Sequence, residues 1–201
     1  MEREEIRRFS GKVCAFSGYR PAKMPFSSED DPACRDLKQR LREEIRRAAQ
    51  DGYTDFLCGM ALGVDTWAAE EVIALRESLR GTREIFLHAY LPFPKQDARW
   101  SAKQRCRYHG LLTLCDSITV VSPSYLPDAM ERRNRAMIER AERLIAVFDG
   151  KKGGTRNTVL MAHEAGLELR ILSPVPPQPR QAKPIQEAEP SQPTLLDGIA
   201  L

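Results

Sequence analysis

Two short segments carry residue types suited to holding an anion. Met130-Glu-Arg-Arg-Asn-Arg-Ala-Met137 reads as a helix with an arginine cluster, and Gly153-Gly-Thr-Arg-Asn-Thr158 reads as a glycine-rich turn. The turn follows the apolar strand Leu144–Phe148 and precedes a helix-like run, Val159–Ala165. A strand that feeds Gly-Gly-Thr into a helix N-terminus exposes backbone N–H groups, and the helix dipole favours negative charge there. With arginines beside it, the expected ligand is a phosphate carried by a nucleotide. Gly153, Gly154, Thr155 and Thr158 would face it from one side, Arg133 and Asn134 from the other. The signal lies in both parts and their order, because Gly-Gly-Thr alone is a common turn.

These residues need a frame, and apolar runs alternate with helical patterns along the chain. Strands are expected at Val13–Phe16, Phe56–Cys58, Ile85–Leu91, Ser117–Val121, Leu144–Phe148 and Leu169–Leu172. Asp31 before Pro32 is an N-cap signal, followed by Leu37, Leu41, Ile45 and Ala48 at helical spacing. Ala68, Val72 and Leu75 mark a second helix; Ser101 with Gln104 is a capping box for a third, running toward Leu114. Asp128 with Glu131 forms a second box that would start the arginine helix. Such alternation predicts an α/β, Rossmann-like doubly wound fold with a mainly parallel sheet and right-handed crossovers. Sheets of this kind bind ligands outside the carboxyl ends of their strands. The loops after strands one, two and five are the glycine-rich ones, which places the site there.

With 201 residues the chain suits one domain, expected over residues 11–173 after an N-terminal extension, 1–10. Seven of the 14 prolines fall in residues 174–201, so a disordered proline-rich tail is expected there rather than a second domain. Its apolar end, Thr194–Leu201, suits docking on the domain or a protein partner, and Gln192-Pro-Thr-Leu-Leu196 resembles the peptides that bind bacterial sliding clamps. The net charge of +3 is too small to indicate nucleic acid. The run Lys95, Arg99, Lys103, Arg105 and Arg107, opposed only by Asp97, reads as a solvated face or a track for a nucleic-acid backbone. No apolar stretch is long enough to cross a membrane and no signal peptide is visible, so a cytoplasmic protein without membrane contact is expected. The five cysteines are odd in number and form no Cys-x-x-Cys pair, so Cys14 and Cys58 are expected to be buried free thiols. His88, His109 and His163 have no metal-ligand spacing; packing or surface roles are expected, with no metal and no required cofactor. Trp67, beside the second glycine loop, would pack in the core or stack on a base. A homo-oligomer is left open.

Four motifs together carry a family resemblance. Phe16-Ser-Gly-Tyr-Arg-Pro21, Cys58-Gly-Met-Ala-Leu-Gly-Val-Asp-Thr-Trp-Ala-Ala-Glu70, Leu91-Pro-Phe-Pro-Lys-Gln96 with Trp100, and Arg133-Asn134 with Gly153-Gly-Thr155 resemble the YpsA-like branch of the SLOG superfamily. That superfamily also holds the DNA-processing protein DprA and the LONELY GUY phosphoribohydrolases. The resemblance covers about residues 10 to 173 and implies a Rossmann-like domain that binds a nucleotide or nucleotide-derived ligand. It implies that Gly18 and Arg20 lie beside the ligand on the first loop, and that Gly59, Gly63 and Asp65 form the second. There Gly63 would let backbone approach the ligand, while Asp65 would accept a ribose hydroxyl or cap its own helix.

The LONELY GUY pattern, Met-His-Glu-Arg-Lys-x-x-Met followed by Pro-Gly-Gly-x-Gly-Thr-x-x-Glu, is met at Met130, Arg133, Met137 and Gly153-Gly154-Thr155. It fails at the lysine, which is Asn134, and at the glutamate, where Thr158 or Met161 stands. Cleaving an N-glycosidic bond needs a carboxylate. Glu164 is the candidate left to supply one. Three functions follow. The first is a sensor or adaptor that binds an ADP-ribose-like or NAD-like ligand and returns it intact, catalysis being slow or absent. The second is a phosphoribohydrolase-like enzyme acting on a nucleotide. The third is a DprA-like single-stranded DNA binder, for which the small net charge and 7% aromatic content are poor support.

Overall fold

The computed structural model describes residues 9–175. Most of the N-terminal extension and most of the proline-rich tail, with its Gln192–Leu196 motif, lie outside the described residues. Twelve elements follow one another: β1 (Lys12–Ser17), a 3₁₀ turn (Pro21–Lys23), α1 (Pro32–Gln50), β2 (Tyr53–Cys58), α2 (Val64–Ser78), β3 (Phe86–Leu91), α3 (Ala102–Leu112), β4 (Ser117–Val120), α4 (Ala129–Ile138), β5 (Arg143–Val147), α5 (Gly154–Glu164) and β6 (Glu168–Leu172). The six strands form one sheet in the order β4-β3-β2-β1-β5-β6, and every pairing is parallel.

The chain builds outward from β1 to β4, then returns through α4 to lay β5 and β6 on the other side of β1. Cys14 of β1 is therefore paired with both Phe56 of β2 and Arg143 of β5. The order of winding reverses between β1 and β5. At such a switch point the loops leave to opposite faces and open a crevice over the carboxyl edge.

Alternation along the central strands builds two cores. Cys14, Phe16, Ile145 and Val147 face a layer that includes Leu37, Leu41 and Ile45 of α1 and Val72 of α2. Val13, Ala15, Leu144 and Ala146 face Met137 and Ile138 of α4 and Ala162 of α5. Each large apolar side chain buried in this way contributes about 1.5–3 kcal/mol. The expected buried thiols are found: Cys14 and Cys58 are buried and free. Trp67 belongs to the first core, 3% exposed beside Phe26 and under the Lys38 ammonium, so packing is its role.

Helix starts follow the capping signals with one exception. Asp31 accepts the Ala33 N–H at 2.8 Å ahead of Pro32, and Ser101 with Gln104 makes a complete capping box. Asp128 does not cap α4. Its carboxylate accepts from Arg132 Nε at 2.7 Å instead, because that guanidinium lies one turn ahead on the same face. The last helix starts five residues earlier than the apolar run suggests, at Gly154, so the glycine turn is itself the first turn of α5. Among the described residues no helix is long and apolar enough to cross a membrane, and no group of three His, Cys, Asp or Glu side chains is placed to hold a metal.

Candidate functional site

Three loops after β1, β2 and β5 meet at the switch point, and Tyr19 joins them. Its carbonyl accepts the Val64 N–H at the start of α2 (3.3 Å), and its hydroxyl donates to the Asp149 carboxylate beyond β5. Hydrogen bonds from Lys151 and Tyr19 hold the Asp149 carboxyl down at about 2, so it is ionised when it receives them. The first and second loops touch so closely that side chains are excluded. A β-carbon on Gly18 would meet the Val64 side chain at 2.4 Å, and one on Gly63 would meet the Tyr19 carbonyl oxygen at 2.5 Å. Gly63 also takes a φ of +91°, which favours glycine. Its purpose is thus contact between loops; it does not line the cavity they enclose.

That cavity has a volume of about 350 Å³ and is lined by Gly18, Arg20, Lys23, Asp65, Met130, Arg133, Asn134, Gly154 and Thr155, among others. A larger one, about 570 Å³, opens between α1 and α2 near Arg46 and Leu79. It has no glycine loop and no helix N-terminus, and Arg83 in its wall donates to the Ala49 carbonyl, so the smaller cavity is the chemical one. Of the residues expected at the ligand, Gly59, Gly63, Gly153 and Thr158 stand behind the lining.

Arg133 crosses the end of β2 from α4 and reaches Asp65 of α2, Nη1 to Oδ2 at 3.3 Å, with both residues buried. Gly59 makes room for it: a β-carbon there would lie 1.0 Å from Arg133 Nη1. The Asp65 carboxylate also accepts the Ala61 N–H at 3.2 Å and does not cap α2, whose N-cap is Gly63. Burial pushes the Asp65 carboxyl up, and Arg133 and the Ala61 N–H pull it back. Arg133 Nε is buried without a hydrogen-bond partner. A buried charged donor left this way carries a desolvation cost.

Arg20 and Lys23 stand at the two ends of the 3₁₀ turn, where side chains three apart eclipse. Arg20 approaches Met130 Sδ at 3.7 Å, and Lys23 Nζ lies 2.6 Å from where a Gly153 β-carbon would be. Among the described residues neither has a carboxylate partner. Lys23 was not singled out by its sequence context; its spacing from Arg20 was the available signal. The N-cap of α5, Gly153, offers no side-chain cap, so among the described residues the first N–H groups of that helix have no side-chain acceptor.

The two positions that depart from the phosphoribohydrolase pattern touch each other. Asn134 Nδ2 donates to Thr158 Oγ1 at 2.8 Å, and Thr158 Oγ1 donates to the Gly154 carbonyl at 3.0 Å. A neutral pair thus locks α4 to the first turn of α5. Glu164 is the last residue of α5 and exposed, about 15 Å along the helix axis from Gly154 at 1.5 Å per residue. It does not line the cavity, which corrects its candidacy as the missing carboxylate. The histidines also lie elsewhere: His88 bridges Asp55 and Ser117, and His109 meets Asp97. In the basic run, Arg107 is bound to Glu29 and Glu70.

Comparison with known proteins decides the family. The YpsA model, described as the YspA SLOG family, matches residues 14–168. The chain belongs to this family. It is 29% identical over 163 residues to a UPF0398 protein of Bacillus pumilus, covering 80% of this chain and 86% of the relative. A UPF0398 protein of Bacillus thuringiensis is 27% identical over 153 residues, 75% and 82% of the two chains. Among solved structures, the DNA-processing protein A (DprA) of Helicobacter pylori, described with a single-stranded DNA binding mode, superposes with a TM-score of 0.53 at 19% identity over 85% of this chain and 67% of that one. DprA of Streptococcus pneumoniae gives a TM-score of 0.51 at 15% identity over 80% of this chain, which spans half of that protein. At these identities the likeness is one of fold. The YpsA match includes every residue lining the cavity.

Proposed function

We propose that the cavity over β1 and β5 binds a phosphorylated, nucleotide-derived ligand of the ADP-ribose or NAD class, and that the protein is a sensor or adaptor that returns it intact. One observation carries the reading: the charges lining the cavity are Arg20, Lys23 and Arg133 against Asp65 alone. Asp65 is already engaged by Arg133, so the excess is cationic and it converges with the bare N-terminus of α5. Lining residues include no second carboxylate to act as acid or base, and the neutral Asn134–Thr158 pair stands where the phosphoribohydrolase pattern has charge.

A ligand bound only to the native state raises the melting temperature by mass action. ADP-ribose at saturating concentration is expected to do so, and mass spectrometry after incubation should recover it uncleaved. Absence of a shift across a panel of nucleotides, dinucleotides and pyrophosphate would refute binding. Rapid release of free base and ribose 5-phosphate from a nucleoside monophosphate would instead make the protein a hydrolase.

A further inference from the structure

The cavity is at the small end of the range for ligand sites, about 300–1,000 Å³, and its lining is built for the phosphate end of a nucleotide. A ligand of the ADP-ribose class has more volume than this, so part of it would lie outside, along the carboxyl edge of the sheet. Aromatic rings near the cavity are already committed. Trp67 is buried in the core, and Tyr19 is 4% exposed with its hydroxyl bound to Asp149. Tyr125 is different: it is 67% exposed.

Its ring is held perpendicular to Phe93, with centroids 5.4 Å apart. Phe93 lies in the loop after β3 and Tyr125 in the loop after β4, so the pair sits on the same edge as the cavity. Both loops lead back to it. Met130, five residues past Tyr125, lines the cavity at the start of α4. Gln96, three residues past Phe93, donates to the Met60 carbonyl at 3.2 Å, and the neighbouring Ala61 lines the cavity. With strands about 4.8 Å apart, the end of β4, from which the Tyr125 loop leaves, is roughly 14 Å along the edge from β1, and that loop leads back to the cavity at Met130. An extended ligand of the ADP-ribose class, with two phosphates and two riboses, spans that scale where a mononucleotide does not. Pro123 and Pro127 bracket Tyr125 and limit its backbone freedom, which reduces the entropy lost when the ring is fixed.

We infer that the Tyr125 ring, braced by Phe93, is the stacking platform for the base of the nucleotide whose phosphate occupies the β1/β5 cavity. The assignment rests on the phosphate-binding reading above. It makes Tyr125 a specificity residue that separates base-bearing ligands from bare phosphates.

Calorimetric titration of wild type, Tyr125→Ala and Tyr125→Phe with two probes, ADP-ribose and inorganic pyrophosphate, tests it. Removing one base–aromatic stack is expected to weaken ADP-ribose about 5- to 150-fold. Tyr125→Phe should keep the affinity, since the ring face remains. Pyrophosphate should bind all three proteins within about twofold. Unchanged ADP-ribose affinity in Tyr125→Ala overturns the assignment, and so does an equal loss for both probes, which would make the loop a support for the cavity. Wild-type protein that binds pyrophosphate but not ADP-ribose overturns the base platform alone. Wild-type protein that binds neither overturns the phosphate site and the platform with it.

Discussion

At the scale of single residues, the buried Arg133–Asp65 pair sets the terms for any experiment on the cavity. Arginine before asparagine on a helix suggests a ligand contact that can be deleted cleanly, but the structure makes Arg133 a structural partner as well. Removing one member of a buried ion pair typically costs about 3–5 kcal/mol, because the other charge is stranded. Burial already pushes the Asp65 carboxyl up, so Asp65 can take a proton when Arg133 is lost, and Arg133→Ala should fall at the lower end of that range. A urea denaturation midpoint unchanged by Arg133→Ala would show that the pair contributes nothing. Lys23→Ala and Arg20→Ala are the cleaner probes of binding, since both side chains are exposed and, among the described residues, have no carboxylate partner. Each should weaken pyrophosphate or ADP-ribose by about 1.5–3 kcal/mol, the scale of hydrogen bonds to charged groups, and leave the melting curve of the free protein in place. A folded Lys23→Ala variant with wild-type affinity would remove that residue from the site. Gly59→Ala is expected to lose stability by about 1–3 kcal/mol and to lose affinity together with it, because its methyl group takes the space of the Arg133 guanidinium.

At the scale of elements, much was legible in the sequence because the signals were local. Asp31-Pro32, Ser101 with Gln104, and the apolar runs of β1 to β6 report their own backbone geometry, and the loops that meet at the switch point follow from the strand order. The parts that were not legible depend on contacts distant in sequence. Nothing near Gly59 announces Arg133, and nothing near Tyr19 announces Asp149, 130 residues away. Asp128 failed as a cap because Arg132, a local competitor, offered a charged donor. The helix layer over α1, α2 and α3 shows the same long-range logic and gives a pH prediction. Burial disfavours ionised Glu29, but hydrogen bonds from Arg107 and Lys38 outweigh it and hold the carboxyl at about 2. Its native value lies below the unfolded one, so its contribution to stability is complete above about 4.5 and disappears as pH falls toward 2. Glu29→Gln should therefore flatten the acid limb of the stability–pH curve between these values. An acid limb identical to that of wild type would show that Glu29 is not held this way in solution.

At the scale of the whole molecule, β6 is the last strand among the described residues. β6 pairs with β5 along Glu168 to Leu172 and packs Leu169 and Leu172 against the two cores, while Arg40 of α1 donates to the Ser173 carbonyl at 2.8 Å. Both cores are thus closed by residues up to 175, and the proline-rich composition beyond them supplies few apolar side chains before Leu195. Truncation after Val175 is expected to move the melting temperature by less than about 2 °C, since about 1 kcal/mol corresponds to 2–4 °C for a chain of this size. Truncation after Leu167 removes β6, uncovers β5 and should lower it by far more. The two cuts differ by eight residues, so the comparison isolates the strand from the tail. A drop of more than about 4 °C from the longer cut would show that the apolar end of the tail, Leu195 to Leu201, packs on the domain. The tail would then be part of the folded unit, and a partner competing for that end would be sensed as a change in stability.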